Sequence, residues 1–346
     1  MLKLSYKPYT LKFRFEAGTS RGVMRERKTY FVYLTDAKGK MAMGEAAPLD
    51  KLSIDATPDF ETKLANFCKD FDNKPTSFLN LEEIEILDSL PSIKFAMETA
   101  FLDYQYGCIN KIFDNNFSNK KTPLPINGLI WMGNKDFMLE QISEKLVQGY
   151  TCLKLKIGAI NFEEELKILA TIRRRFSADQ ITLRLDANGA FVAKEALDKL
   201  KELAHFDIHS IEQPIAAKQA SMAELCAVSP IPIAFDEELI GIQSYAAKEK
   251  LLTTLKPTYI ILKPTLLGGF AACDEWIEIA EKLGIAWWIT SALESNVGLN
   301  AICQYTAQKI IGTKYQNFPQ GLGTGQLYEN NIDFPLAIQN GFIYCK

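Results

Sequence analysis

The sequence predicts an α/β chain in which a closed parallel barrel follows a separate α+β region. Three observations predict it. From residue 123 onward, short strand-like runs alternate with amphipathic helical ones. Charged side chains recur at the ends of successive strand-like runs. The residues before about 121 fall outside that rhythm. Strand–helix alternation argues for a parallel sheet with crossover helices.

The α+β region comes first. "LKLSYKPYTLKFRFEAG" and "RKTYFVYLTDAKGKMAMGEA" read as antiparallel strands, the second turning at Ala-Lys-Gly. Residues 58 to 71 and 91 to 106 read as helices. Seven strands are then expected, in "PLPINGLIWM", "TCLKLKIG", "ITLRLDAN", "IHSIEQPI", "IPIAFDEE", "TYIILKPT" and "IAWWITSA", with an eighth near "QGLGTG". Between them Ala196, Leu200 and Leu203, and Cys273, Trp276, Ile277 and Ala280, keep helical spacing. The competing architecture is an open doubly wound sheet. Its dinucleotide-binding form lacks the Gly-x-Gly-x-x-Gly fingerprint here. The expected boundaries are a cap at 1–121, a barrel at 122–325 and a tail at 326–346 that returns to the cap.

Composition narrows the function classes. The 346 residues are 47% apolar, enough for a large core. With 39 basic and 42 acidic residues the net charge is -3, which gives no basic surface for nucleic acid or membrane. Seven scattered cysteines form no Cys-x-x-Cys pair, so neither a disulfide framework nor a thiolate zinc site is expected. No apolar run approaches a membrane span, and the N-terminus has no apolar signal core. A cytoplasmic protein is expected, its oligomeric state left open.

Barrel active sites sit at the C-terminal ends of the strands. There the expected strand two carries Lys154 and Lys156, strand three Asp186 and Asn188, strand four Glu212, strand five Asp236 and Glu237, and strand six Lys263. In "TCLKLKIGAI" the alternation turns Leu153, Leu155 and Ile157 to one side and both lysines to the other. Asp186, Glu212 and Asp236 become rim neighbours flanked by Lys156 and Lys263. Three adjacent, partly buried carboxylates cannot all stay ionised without a cation. Oxygen ligands without Cys or His favour magnesium, with manganese an alternative. Burial and a nearby cation would lower a lysine pKa and free an amine to act as base.

These residues resemble the enolase superfamily and, within it, the muconate-lactonizing-enzyme subgroup. "KLK", "LDAN", "IEQP", "FDE" and "LKP" match its two lysine motifs and three metal-ligand motifs, and "GEAAP" and "FAMETAFLDYQYG" resemble its cap. The resemblance implies a (β/α)7β TIM-like barrel with an α+β capping domain, and a lysine base acting with magnesium. "LKPTLLGGF", "SALESNVGLN" and "GLGTG" are similar to the o-succinylbenzoate synthase family of menaquinone biosynthesis, and "GTSRG" resembles its mobile loop. That family is a dehydratase acting on a small-molecule carboxylate. The resemblance implies Lys156 as base, Lys263 as the opposing cation and Lys154 as neighbour to Lys156. It implies Asp186, Glu212 and Asp236 as metal ligands, supported by Asn188 and Glu237. Ser291 and Glu294 are candidate rim residues, Glu294 equally a solvated helix start. Gly268 and Gly269 either bring N–H groups to a carboxylate or make a simple turn. Arg21 either covers the site or hydrates its loop. His205 and His209 precede strand four, at the opposite end of the barrel from Glu212, and are expected to be structural. Racemisation of an N-succinyl amino acid competes as a function, dipeptide epimerisation is disfavoured by the acid-free "PQGLGTGQ", and a non-catalytic barrel is the remote alternative.

Overall fold

The computed structural model describes residues 2–19, 22–71 and 85–346. Three antiparallel strands come first: β1 (Leu2–Thr19), β2 (Gly22–Asp36) and β3 (Met41–Ala46), hydrogen-bonded in that order. β1 changes which face it buries. Leu2 and Leu4 pack with Phe60 and Phe67 in the cap core, whereas Leu11, Phe13 and Ala17 pack against Trp131 and Tyr328. Pairing with β2 runs unbroken from Leu2 to Lys12, and alternate residues take opposite faces. One ribbon therefore covers the cap helices with its first half and the barrel with its second. The helices α1 (Phe60–Phe71) and α2 (Pro91–Gln105) complete the cap.

The expected first barrel run splits in two. β4 (Leu124–Pro125) leaves the barrel, and β5 (Gly128–Ile130) begins it. Parallel strands follow: β6 (Cys152–Lys156), β7 (Thr182–Asp186), β8 (Ser210–Glu212), β9 (Ile233–Phe235), β10 (Tyr259–Leu262) and β11 (Ala286–Ile289), in sequential order. Between them run α3 (Lys135–Val147), α4 (Phe162–Arg173), α5 (Ala193–Ala204), α6 (Ser221–Val228), α7 (Tyr245–Leu255), a short α8 (Pro264–Leu267) and α9 (Gly269–Lys282); α10 (Asn296–Ile310) follows β11. Asn134, Asn161, Ser244 and Ser295 cap four of these helices, each side chain accepting from an N–H of the first turn. The eighth strand is two residues long. Gln320 bridges Ile126 and Gly321 bridges Thr290, both in parallel, which joins β11 back to β5 and closes the barrel.

The barrel floor is filled by side chains. Arg184 lies between the rings of Trp288 and Phe318, its guanidinium carbon 4.4 and 4.5 Å from their centroids. His209 sits at the same end, against Tyr259 and Phe318, and burial pushes its pKa down to about 4. Neither histidine lines the strand-end cavity.

The tail only partly returns to the cap. Arg14 N–H donates to Leu327 O and Glu329 N–H to Lys12 O, so this segment follows β1. Residues beyond it correct the expectation. β12 (Leu336–Gln339) and β13 (Phe342–Cys345) form a hairpin that pairs with β4. The reason is apolar: Ile343 is fully buried in the barrel's own core cluster beside Leu124.

Two carboxylates stitch cap to barrel. Glu45 of β3 accepts from Ser295 N–H at 2.9 Å and Gly298 N–H at 2.8 Å, at the start of α10. Glu98 of α2 accepts from the N–H groups of Phe270 and Ala271, at the start of α9. A carboxylate at a helix N-terminus satisfies orphan donors and meets the positive end of the helix dipole.

Candidate active site

Parallel register sets the charged residues side by side. Lys156 pairs with Asp186 between β6 and β7, and Asp186 with Glu212 between β7 and β8. All of β6 is buried: Leu153 and Leu155 join the apolar core, while Lys154 and Lys156 turn inward. Six charged residues thus meet in the barrel mouth, each no more than 9% exposed as a whole residue.

They form a balanced lattice. Lys154 Nζ lies 2.5 Å from Glu212 Oε2 and 3.1 Å from Asp186 Oδ2. Lys156 Nζ lies 3.0 Å from Asp186 Oδ2 and donates to Asn188 Oδ1 at 2.7 Å. Lys263 Nζ donates to Asp236 Oδ2 and sits 3.6 Å from Glu212 Oε1. Three ammonium groups face three carboxylates, the condition under which buried ions are tolerated.

The lysines differ in their surroundings. Burial pushes Lys156 down, and the charge of Lys154 pushes the same way against the pull of Asp186. Burial also opposes charge on Lys263, but the attraction of Asp236 and Glu212 outweighs it and raises its pKa. For Lys154, Asp186 and Glu212 likewise outweigh burial. Burial would raise Asp186, yet Lys154, Lys156 and Lys263 hold it well below the usual carboxylate range. Of the three lysines, Lys156 alone is displaced toward the neutral amine that a base requires.

The expected metal cage takes a different form. Among the described residues no three His, Cys, Asp or Glu side chains converge on a metal position; each carboxylate faces an ammonium group instead. The donor set nevertheless fits a hard divalent cation. Asp186, Glu212 and Asp236 bring oxygen ligands from consecutive strands, and buried Glu212 Oε1 accepts no hydrogen bond.

Asn188 adopts a φ of 45°. Its N–H donates to Asp186 Oδ1 at 3.1 Å and its Nδ2 to Glu237 Oε1 at 3.2 Å. It bridges Lys156, Asp186 and Glu237, the surroundings expected of a residue that braces the acids.

A cavity of about 160 Å³ opens above this floor, walled by the cap through Met24 and residues 49–52 and by the barrel through Trp131, Ser291 and Thr324. Ser291 lines it. Glu294 does not: it is fully buried, accepting from Ser291 Oγ, Thr265 Oγ1 and Ala292 N–H. It is neither a solvated helix start nor a rim residue, but holds Ser291 in place. Gly268 and Gly269 also lie outside the cavity lining. Their N–H-rich turn does approach a carboxylate, but it belongs to Glu98. A Cβ on Gly269 would come 2.0 Å from Glu98 Oε2, and its φ of +94° excludes most other residues. Arg21 lies outside the described residues.

Sequence reasoning missed Asn127, Trp131 and Thr290, which also line the cavity. Strand parity held the signal, since Asn127, Leu129 and Trp131 alternate along the first barrel strand.

Against known proteins, the enolase C-terminal domain-like family matches residues 138–346. The chain belongs to the enolase superfamily. An o-succinylbenzoate synthase of Desulfotalea psychrophila is 44% identical over 99% of this chain and 98% of its own length. The crystal structure of MenC from Desulfotalea psychrophila LSv54 superposes with a TM-score of 0.86 at 40% identity, covering 99% of each chain. The muconate lactonizing enzyme of Pseudomonas putida shares the fold at a TM-score of 0.81 and 20% identity, covering 99% of this chain and 93% of that one. As a superfamily member, this chain is an α/β barrel enzyme with an antiparallel-sheet cap. Among its described residues no helix is long and apolar enough to cross a membrane.

Proposed function

We propose that the chain is an o-succinylbenzoate synthase, a carbon–oxygen lyase of menaquinone biosynthesis. Its substrate is a cyclohexadiene carboxylate carrying a hydroxyl and a succinyl chain. The observation that carries the chemistry is Lys156, buried at the cavity floor and pushed toward its neutral form. The substrate class rests on the full-length likeness to a synthase of that name.

Lys156 Nζ takes the proton alpha to the ring carboxylate. Asn188 and Asp186 hold the amine in place before transfer. The ammonium formed then gives its proton to the departing hydroxyl on the same face. One C–H and one C–O bond break, water leaves, and the new double bond completes the aromatic ring. Lys263, raised above the ordinary lysine value, stays charged and steadies the anionic carbon skeleton from the other side. Lys154 keeps positive charge beside Lys156 and favours return of its amine form. Asp186, Glu212 and Asp236 would hold magnesium, or manganese, braced by Asn188 and Glu237. When bound there, the ion supplies positive charge beside the substrate carboxylate. The cap, at 1–121, closes over the barrel at 122–325. Among the described residues no two cysteines are joined in a disulfide, which supports a cytoplasmic location.

Incubation with the succinyl-cyclohexadiene substrate, followed by ultraviolet absorbance of the aromatic product, tests the reading. A second reading, racemisation of an N-succinyl amino acid, draws on Lys156 and Lys263 lying at opposite ends of the carboxylate row. Solvent-deuterium exchange of such an amino acid, without any dehydration, would replace the first reading by the second.

A further inference from the structure

We infer that Arg27, on β2 of the cap, is a positioning residue: its guanidinium ties the cap loop that begins at Ala47 to the barrel loop at Ala292 and so fixes the width of the cavity they wall. The inference rests on the synthase reading for the substrate that fills that cavity.

Arg27 is buried, 5% exposed, between exposed neighbours Glu26 and Lys28. Strand alternation puts it on the same face as Thr29, whose hydroxyl donates to Glu45 Oε1 at 2.8 Å. Glu45 in turn accepts from Ser295 N–H, so this face of the sheet looks at the barrel. The sheet narrows here. β3 pairs with β2 only as far as Ala46 opposite Tyr30. Beyond that pair the chain leaves as the loop whose residues 49–52 line the cavity. Arg27 lies past the last pair, still opposite Leu11 of β1, and its side chain spans the corner that β3 has left.

The fork has one arm on each wall. Nη2 donates to Ala47 O, two residues before Leu49. Nη1 donates to Ala292 O, and Ala292 and Leu293 also line the cavity. A planar guanidinium holds two acceptors in a fixed geometry, which a lysine ammonium does not.

The barrel arm grips a strained turn. Leu293 has a φ of 68°, uncommon for a residue with a side chain. Such conformations persist where the surroundings over-determine them, and they gather at functional sites. Ala292 N–H donates to Glu294 Oε1 at 3.1 Å, Leu293 N–H to Ser291 Oγ at 3.1 Å, and Tyr328 O–H to Leu293 O at 2.6 Å. Those bonds hold the turn from the barrel and the tail, whereas Arg27 registers it to the cap. Both Arg27 bonds go to the walls rather than to the lysines and acids of the floor. Its loss should therefore loosen substrate binding and largely spare the chemistry.

Steady-state dehydration of the succinyl-cyclohexadiene substrate, at saturating magnesium, tests this in the parent, Arg27→Ala and Arg27→Lys. Arg27→Ala should raise KM roughly ten- to a hundredfold, as for lost hydrogen bonds from a charged donor, with a much smaller change in kcat. Guanidinium ion at millimolar concentration should lower that KM again and leave the parent's unchanged. Arg27→Lys keeps the charge but reaches one carbonyl at a time, so its KM should lie between the two. Thermal melting records stability separately, and Arg27→Lys serves if Arg27→Ala does not fold. A lower melting temperature with an unchanged KM would make Arg27 a stabiliser of the fold only and overturn the inference, as would a fall in kcat alone. A parental KM in Arg27→Lys would show that charge suffices and overturn the two-carbonyl clamp. Trypsin cleavage after Lys51, exposed in the cap loop, reads the clamp without substrate. Arg27→Ala should be cut there faster relative to other sites, and equal rates refute the clamp. A folded parent that dehydrates nothing refutes the synthase reading, while the trypsin comparison still decides on Arg27.

Discussion

Replacing Glu165 by Gln should remove a large part of the pH dependence of folding. Glu165 of α4 is 3% exposed and accepts from Gly158 N–H at 2.6 Å, in the loop that follows Lys156. Burial pushes its pKa up from 4.5 to about 7, although the N–H groups of Gly158, Ile160 and Ala159 and the charge of Lys199 oppose the rise. The fold thus binds this proton more tightly than the unfolded chain does. Its contribution is fully present below pH 4.5, declines as pH rises and is gone above about pH 7. At about 1.4 kcal/mol per unit, the parent should lose about 2.5 kcal/mol, relative to Glu165→Gln, between about pH 5 and about pH 8. Urea unfolding of both proteins at the two pH values measures the difference. Parallel stabilities would show that Glu165 titrates in the fold as it does in the open chain, and the reasoning from burial would fail.

Asp186→Asn, Glu212→Gln and Asp236→Asn should each weaken magnesium binding and abolish turnover while the fold survives; a variant active at ordinary magnesium concentration would leave the ligand set. Lys156→Ala should lose both dehydration and exchange of the alpha proton with deuterium, whereas Lys263→Ala should retain weak activity, reduced about 10²–10³-fold as for loss of one charge-stabilising group; the reverse pattern, read by absorbance and NMR, would exchange their roles. Gly269→Ala should destabilise by roughly 1–3 kcal/mol, from a strained backbone pressed against Glu98, and an unchanged melting temperature would discount that contact. Glu45→Ala strands two buried N–H groups at the start of α10, and at about 1–3 kcal/mol for each unmet donor it should lower the melting temperature more than Glu45→Gln does.

The barrel and its charged mouth were legible because both follow from periodicity. Alternation turned Lys154 and Lys156 inward, and the spacing of one βα unit lined up Asp186, Glu212 and Asp236. The contacts that decide the rest cross long stretches of chain. Glu98 meets Phe270 and Glu45 meets Ser295, and no local pattern announces either pair. That is why Gly268 and Gly269 looked as open to a substrate as to a simple turn. The tail misled because only its first residues follow β1, while Ile343 finds its burial under the barrel. Trp131 and Thr290 were passed over because a strand rich in apolar residues disguises an occasional hydrogen-bonding side chain.

The two-residue strand at Gln320 and Gly321 also sets a condition on how the protein is made. Every other barrel strand has left the ribosome before this segment emerges. Until then β5 and β11 end in unpaired backbone, the open margins through which parallel sheets associate with one another. The growing chain therefore carries an open border at β5 while the rest of the barrel is made, joined by a second at β11 once Ile289 has emerged. A stop codon placed just upstream of Gln320 should yield aggregated protein even though all six charged residues of the mouth are present, whereas one placed after the seam and its β4 hairpin should not.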